Sequence, residues 1–149
     1  MRETITAALK EATKAREMRR VSTLRLVSAA IKDRDIAARG TGAEQATDAE
    51  LLELFAKMIK QREESKKIYA DAGRTELAEQ ESAEADIIRG FLPKQLSDED
   101  MAKAIDEAIA ETGASGMRDM GKVMGVLKGR FAGQMDFGKA SGAVKAKLS

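Results

Sequence analysis

The sequence predicts an all-α protein: a larger N-terminal helical domain followed by a small C-terminal three-helix domain. Three observations carry that expectation. Apolar residues recur at i, i+3, i+4 and i+7 along most of the 149 residues. No segment alternates apolar and polar residues with period two, the mark of a half-buried strand. Several glycines and the single proline stand at the joints between the periodic stretches, where helices begin and end. The composition agrees, with 34% charged residues and only 3% aromatics.

Each helix has its own signal. Residues 2–16 place Ile5, Ala8, Leu9, Ala12 and Ala15 at helical spacing. Residues 18–39 place Val21, Leu24, Val27, Ser28 and Ile31 on one stripe, with Arg19, Arg20, Arg25, Lys32 and Arg34 largely off it. Gly40, Thr41 and Gly42 then break the pattern. Thr47 with Glu50 three residues on has the form of a capping box, and Leu51, Leu54, Phe55, Met58 and Ile59 follow on one face as far as Ala72, with Gly73 as C-cap. A fourth helix spans 75–90, with Leu77, Ala78, Glu81, Ala85 and Ile88 along one side. Gly90 and Pro93 stop it, since Pro also turns Leu92 away from helix.

The domain boundary falls here, giving an N-terminal domain of residues 1–92, a linker 93–96 and a C-terminal domain 97–149. Ser97 caps a helix whose first turn holds Asp98, Glu99 and Asp100, acids that complement the positive helix end. Met101, Ala104, Ile105, Ala108 and Ile109 give its inner face, and Gly113 its end. Ser115 is expected to start the next helix, with Met117, Met120, Met124 and Leu127 as its core seam. Asp136 caps the last, with Phe137, Ala140, Val144 and Leu148 inward.

Enzymatic chemistry finds no visible home in this sequence. There is no Cys and no His, so thiolate chemistry, imidazole general bases and the commonest metal ligands are excluded, leaving carboxylates, Lys, Ser and Tyr69. No cofactor and no metal site are expected. Gly116–Lys122 and Gly133–Lys139 mimic a phosphate-binding loop, but Val123 and Ala140 stand where that loop needs Ser or Thr, and no strand precedes either. The acidic pairs Glu63/Glu64, Glu79/Glu81 and Glu84/Asp86 read as solvated helix faces. The N-terminus leads into no apolar signal region, and no run approaches the ~20 apolar residues of a membrane span, so a cytoplasmic protein without membrane attachment is expected.

The net charge of +1 conceals a polarity along the chain. Residues 1–34 carry nine Lys/Arg against four Asp/Glu, residues 71–111 four against twelve, and residues 112–149 seven against two. Basic ends of this kind suit an anionic partner. Gly121 and Gly125, four apart, share a helix face and leave a bare strip of backbone, with Lys122, Lys128 and Arg130 beside it. A packed helix or a nucleic-acid backbone could approach such a strip. With so few aromatics to stack on bases, any bound RNA should be structured and read by shape and phosphate.

Five blocks carry a family resemblance. Leu24-Arg25-Leu26-Val27 with Ala29-Ala30-Ile31-Lys32, Met58-Ile59-Lys60-Gln61-Arg62 with Glu64-Ser65, Ala72-Gly73-Arg74 with Leu77-Ala78-Glu79, Leu92-Pro93 with Gln95-Leu96-Ser97, and Asp119-Met120-Gly121-Lys122-Val123-Met124-Gly125 resemble the YqeY proteins of the GatB/YqeY family. The resemblance runs through essentially the whole chain in order. It implies an all-helical protein related to the tail module of the B subunit of glutamyl-tRNA(Gln)/aspartyl-tRNA(Asn) amidotransferase, which helps hold tRNA, a module also appended to some glutaminyl-tRNA synthetases. By that likeness the helix bearing Gly121, Lys122, Gly125, Lys128 and Arg130 is the tRNA-facing element. The cradle that binds ATP and ammonia in the amidotransferase has no counterpart here. Phe131, Met135 and Phe137 depart from the more polar loop expected of residues 129–138.

The leading expectation is therefore a stand-alone tRNA-binding accessory module without catalysis, whose partners would be tRNA and an aminoacyl-tRNA synthetase or amidotransferase subunit. Two alternatives stand beside it. One is a protein-interaction adaptor that binds a partner's helix and no RNA; the other is a carbon–nitrogen ligase of amidotransferase type with glutamine as amido donor.

Overall fold

Local signals decide where the helices lie. The computed structural model describes residues 1–149 and contains helices α1 (Arg2–Ala15), α2 (Met18–Gly40), α3 (Asp48–Asp71), α4 (Thr75–Arg89), α5 (Asp98–Thr112), α6 (Met120–Arg130) and α7 (Phe137–Leu148), with a 3₁₀ turn at Met117–Asp119 and no strand. No helix is long and apolar enough to cross a membrane. The chain divides into two compact units, Met1–Leu92 and Pro93–Ser149.

In the first unit Ile5, Val21, Leu24, Val27, Leu51, Phe55 and Ile88 are buried in a single apolar core. α1 ends without a glycine: Arg16 takes the left-handed conformation (φ 56°), and the Glu17 N–H reaches back to Ala12 O at 3.1 Å. Ala15, beside this turn, is exposed rather than on the inner stripe. On α2 Thr23 is fully buried with its hydroxyl unpartnered, while Ser28 lies only half-buried. Arg2 and Asp35 clamp the loop after α2. The Arg2 guanidinium donates to Asp35 at 2.5 Å and to Ala46 O at 2.7 Å, and the Ala46 N–H donates to the same Asp35 oxygen at 2.9 Å.

Only half of the expected capping box forms at α3. Thr47 Oγ1 accepts from the Glu50 N–H at 3.2 Å, but the Glu50 carboxylate turns to Arg34 of α2 at 2.6 Å instead of returning to the Thr47 N–H. Gly73, at φ +73°, makes the three-residue turn into α4, where a side chain would be strained. Leu77 lies beyond the core and is partly exposed, so the inner face of α4 is Ala78, Glu84, Ala85 and Ile88. Glu84 is thus no solvated face. It is buried and bonded to Arg62 Nε of α3 at 3.1 Å, because the α3–α4 hairpin closes over it. Beyond α4, the Arg20 guanidinium sits 5.6 Å from the centroid of the Phe91 ring.

The second unit packs Ala104, Ile105 and Ala108 of α5 against Val123 and Leu127 of α6 and Ala140, Val144 and Leu148 of α7. Ser97 Oγ caps α5 by accepting from the Asp100 N–H at 3.1 Å, and Gly113 ends it at φ 65°. Residues 93–96 belong to this unit: the Leu96 N–H donates to Gln134 O at 2.8 Å, Gln95 bonds Gly133 O, and Leu96 packs on the core.

Ser115 does not begin an α-helix. Its N–H donates to Asp119 Oδ2 at 3.1 Å, and the chain enters α6 through the 3₁₀ turn. That turn changes the angular step between residues. Met117 consequently leaves the seam and is 41% exposed, and the buried line of α6 is Val123 and Leu127, flanked by half-buried Met120 and Met124. Phe131, Met135 and Phe137, out of place in a polar loop, pack on this core, with Met135 buried.

Candidate nucleic-acid interface

The inner face of α6 fixes the outer one. At about 100° per residue, Gly121, Gly125 and Gly129 fall within roughly 80° of each other, opposite Val123 and Leu127. Lys128 lies about 20° outside this strip on one side and Lys122 about 20° outside it on the other. All five residues are exposed, and a Cβ built on any of the three glycines would meet nothing within 4 Å. The glycines thus do not serve packing inside the chain. Gly129, absent from the sequence-based strip, completes it; its spacing of four from Gly125 was the available signal.

The same geometry sets Arg130 apart from the glycine strip. It points about 100° away from Gly129 and pairs with Glu111 of α5 at 2.6 Å. The hydrogen bond it donates to Glu111 holds its guanidinium still more firmly protonated than usual. Arg130 therefore turns its charge toward α5. Lys139 likewise lies 3.8 Å from Asp98, and Lys147 pairs with Asp106. The acids of α5 pair with three of the seven cations that residues 117–149 supply, which a count along the chain could not reveal. Lys122 and Lys128 enter no ion pair and are exposed.

Nothing in this unit forms the loop that the Gly-x-x-x-x-Gly-Lys stretches mimic. The first becomes the 3₁₀ turn and the start of α6. In the second, Asp136 Oδ1 already accepts from the Gly138 N–H at 2.8 Å and the Lys139 N–H at 3.4 Å, amides a phosphate would need. No group of three His, Cys, Asp or Glu gathers to hold a metal ion. Among the acidic pairs, Glu63 of α3 bonds Arg89 of α4 at 2.6 Å and so joins the hairpin, while Asp86 bonds the same guanidinium at 2.7 Å within α4 and stays 69% exposed.

The fold and this surface define the class: an all-helical protein of two compact units whose C-terminal unit displays a glycine-lined, lysine-flanked helix. The chain belongs to the Yqey-like protein family, whose family model matches residues 2–148. It is 31% identical over 129 residues to Altered inheritance of mitochondria protein 41, mitochondrial, of Pyrenophora tritici-repentis (strain Pt-1C-BFP), a match covering 83% of this chain and 69% of that protein.

Proposed function

We propose that the chain is a tRNA-binding accessory module without catalysis of its own, acting in the cytoplasm beside an aminoacyl-tRNA synthetase or a tRNA-dependent amidotransferase. The observation that carries this reading is the outer face of α6, where Gly121, Gly125 and Gly129 are open and the two flanking lysines are unpaired. A glycine strip lets a phosphate backbone come within reach of helix backbone, and Lys122 and Lys128 supply phosphate contacts that position RNA without reading bases. Arg130 lies off this strip and pairs with Glu111.

Two such contacts give weak binding whose logarithm falls with log salt at a slope of about −2. Electrophoretic comparison of tRNA with duplex DNA across a salt series tests this. Lys122→Ala or Lys128→Ala should each flatten the slope by about 1 and weaken all tRNAs alike, while Gly121→Leu should block approach at unchanged charge. Absence of tRNA binding at low salt, or undiminished binding by the double lysine variant, overturns the reading. The spacing of three open glycines also suits a closely packed partner helix. That adaptor would lose capture on Gly121→Leu yet show little dependence on salt.

A further inference from the structure

We propose that the groove between α1 and α2, remote in sequence from α6, binds a small phosphate monoester carrying an apolar group. The groove has a volume of about 280 Å³, just below the usual range for drug-sized ligands and so suited to a small one. Its chemistry is divided. Ile5 and Ile31, both buried, form an apolar floor, and Ile36 stands at the rim with 55% of its surface exposed.

The charged groups are divided as well. Asp35 faces the groove, but its carboxylate is already satisfied by Arg2 and the Ala46 N–H, and the hydrogen bond from Arg2 holds it below the usual aspartate range. Arg2 and Asp35 therefore form a fixed pair of no net charge. Lys32 and Arg39, three residues before and four after Asp35, share its helix face two turns apart, about 10 Å along the axis, so that their long side chains reach the groove from either side of Asp35. Neither is in an ion pair. Arg39 spends only Nε, on Glu44 O at 3.3 Å, which leaves its terminal nitrogens free.

Two uncompensated cations match the two charges of a phosphate monoester, and its three terminal oxygens match their several N–H donors. Hydroxyls complete the wall. Thr13 turns its own back on Leu9 O at 2.7 Å, whereas Thr6 and Ser28 line the groove with theirs uncommitted within the protein. The ester's apolar group would lie on Ile5, Ile31 and Ile36. Either a free metabolite or the headgroup of a phosphatidic-acid lipid presents this chemistry.

The test is an amide NMR titration of the full chain with phenyl phosphate. The expected result is saturable shifts at Thr6, Ser28, Lys32, Ile36 and Arg39 with a dissociation constant of about 1 mM or below. Inorganic phosphate should bind about tenfold more weakly for want of the apolar contact, and phenol should not bind. Because both cations are exposed, Lys32→Gln with Arg39→Gln should keep the thermal unfolding of the parent and weaken phenyl phosphate at least about tenfold. Ile36→Ser should erase the preference over inorganic phosphate. Perturbation of the same amides by phosphatidic acid vesicles, but not by phosphatidylcholine vesicles, assigns the lipid source; no vesicle effect assigns the free ester. The proposal is overturned if the shifts fall elsewhere, if the double variant binds unchanged, or if only tRNA and not phenyl phosphate moves these amides.

Discussion

Glu81 lies on α4 beside the Arg62–Glu84 pair, and burial pushes its carboxyl above the ordinary glutamate value of 4.5, with the Glu84 charge adding to the effect and Arg62 opposing it. A carboxyl with a raised pKa binds its proton more tightly folded than unfolded. Its contribution to stability is therefore complete below the unfolded value and is lost as pH rises through the folded one. Glu81→Gln should raise the urea midpoint at pH 7, and the gain should vanish as the pH drops below about 4.5. A gain equal at every pH would trace to packing instead. Asp35 acts with the opposite sign. Arg2 lowers its pKa, so its stabilisation is present above the ordinary 3.8 and is lost as pH falls through the depressed value.

Among the elements, the α3–α4 hairpin encloses the most buried ion pair. Arg62 Nε and Glu84 Oε2 are 3.1 Å apart with side chains only 13% and 11% exposed. Arg62 also donates to Met58 O at 3.3 Å, and Gln80 approaches the other Glu84 oxygen at 3.4 Å. Truncating one partner strands the other away from water, whereas replacing both with apolar groups does not. Glu84→Ala should cost about 3 kcal/mol in urea unfolding. Arg62→Met combined with Glu84→Leu should recover most of that loss, and a double-mutant cycle measures the coupling. Additive losses in the double variant would show that the pair is not what joins these helices. α6 contrasts with this hairpin: its link to α5 through Arg130 and Glu111 is half-exposed and of small energetic weight.

For the whole molecule, the two units set the expectation. Each has its own apolar core, and the second begins at Pro93, where Leu96 and Gln95 bond the loop before α7. Fragments 1–92 and 93–149 should each unfold cooperatively on their own, although the second is near the lower size limit for independent folding. Fragment 97–149, which lacks the Leu96 contact, should melt at a lower temperature than 93–149. Equal melting of the two would show that residues 93–96 add nothing to the unit, and a helical but non-cooperative 93–149 would show that it needs the rest of the chain. Circular dichroism on heating reads both outcomes.

The sequence by itself determined the helices, their main caps and the helix that bears the candidate interface. Spacing of apolar residues, the Thr47, Ser97 and Asp136 caps and the positive-φ turns at Gly73 and Gly113 act within a few neighbouring residues, so they are written directly along the chain. Even there, the 3₁₀ turn before α6 shifted the methionine seam, because the angular step at that joint depends on the Asp119 bond to Ser115. Only the tertiary structure decided which charges are free and where concavity lies. Glu111 claims Arg130, Asp106 claims Lys147, Glu84 goes inside with Arg62, and Arg2 crosses to Asp35 at the edge of the α1–α2 groove. Those pairs join residues 19 to 41 positions apart. Periodicity reports which side of a helix is apolar, but the partner of an outward charge is set by whichever neighbouring helix packs beside it.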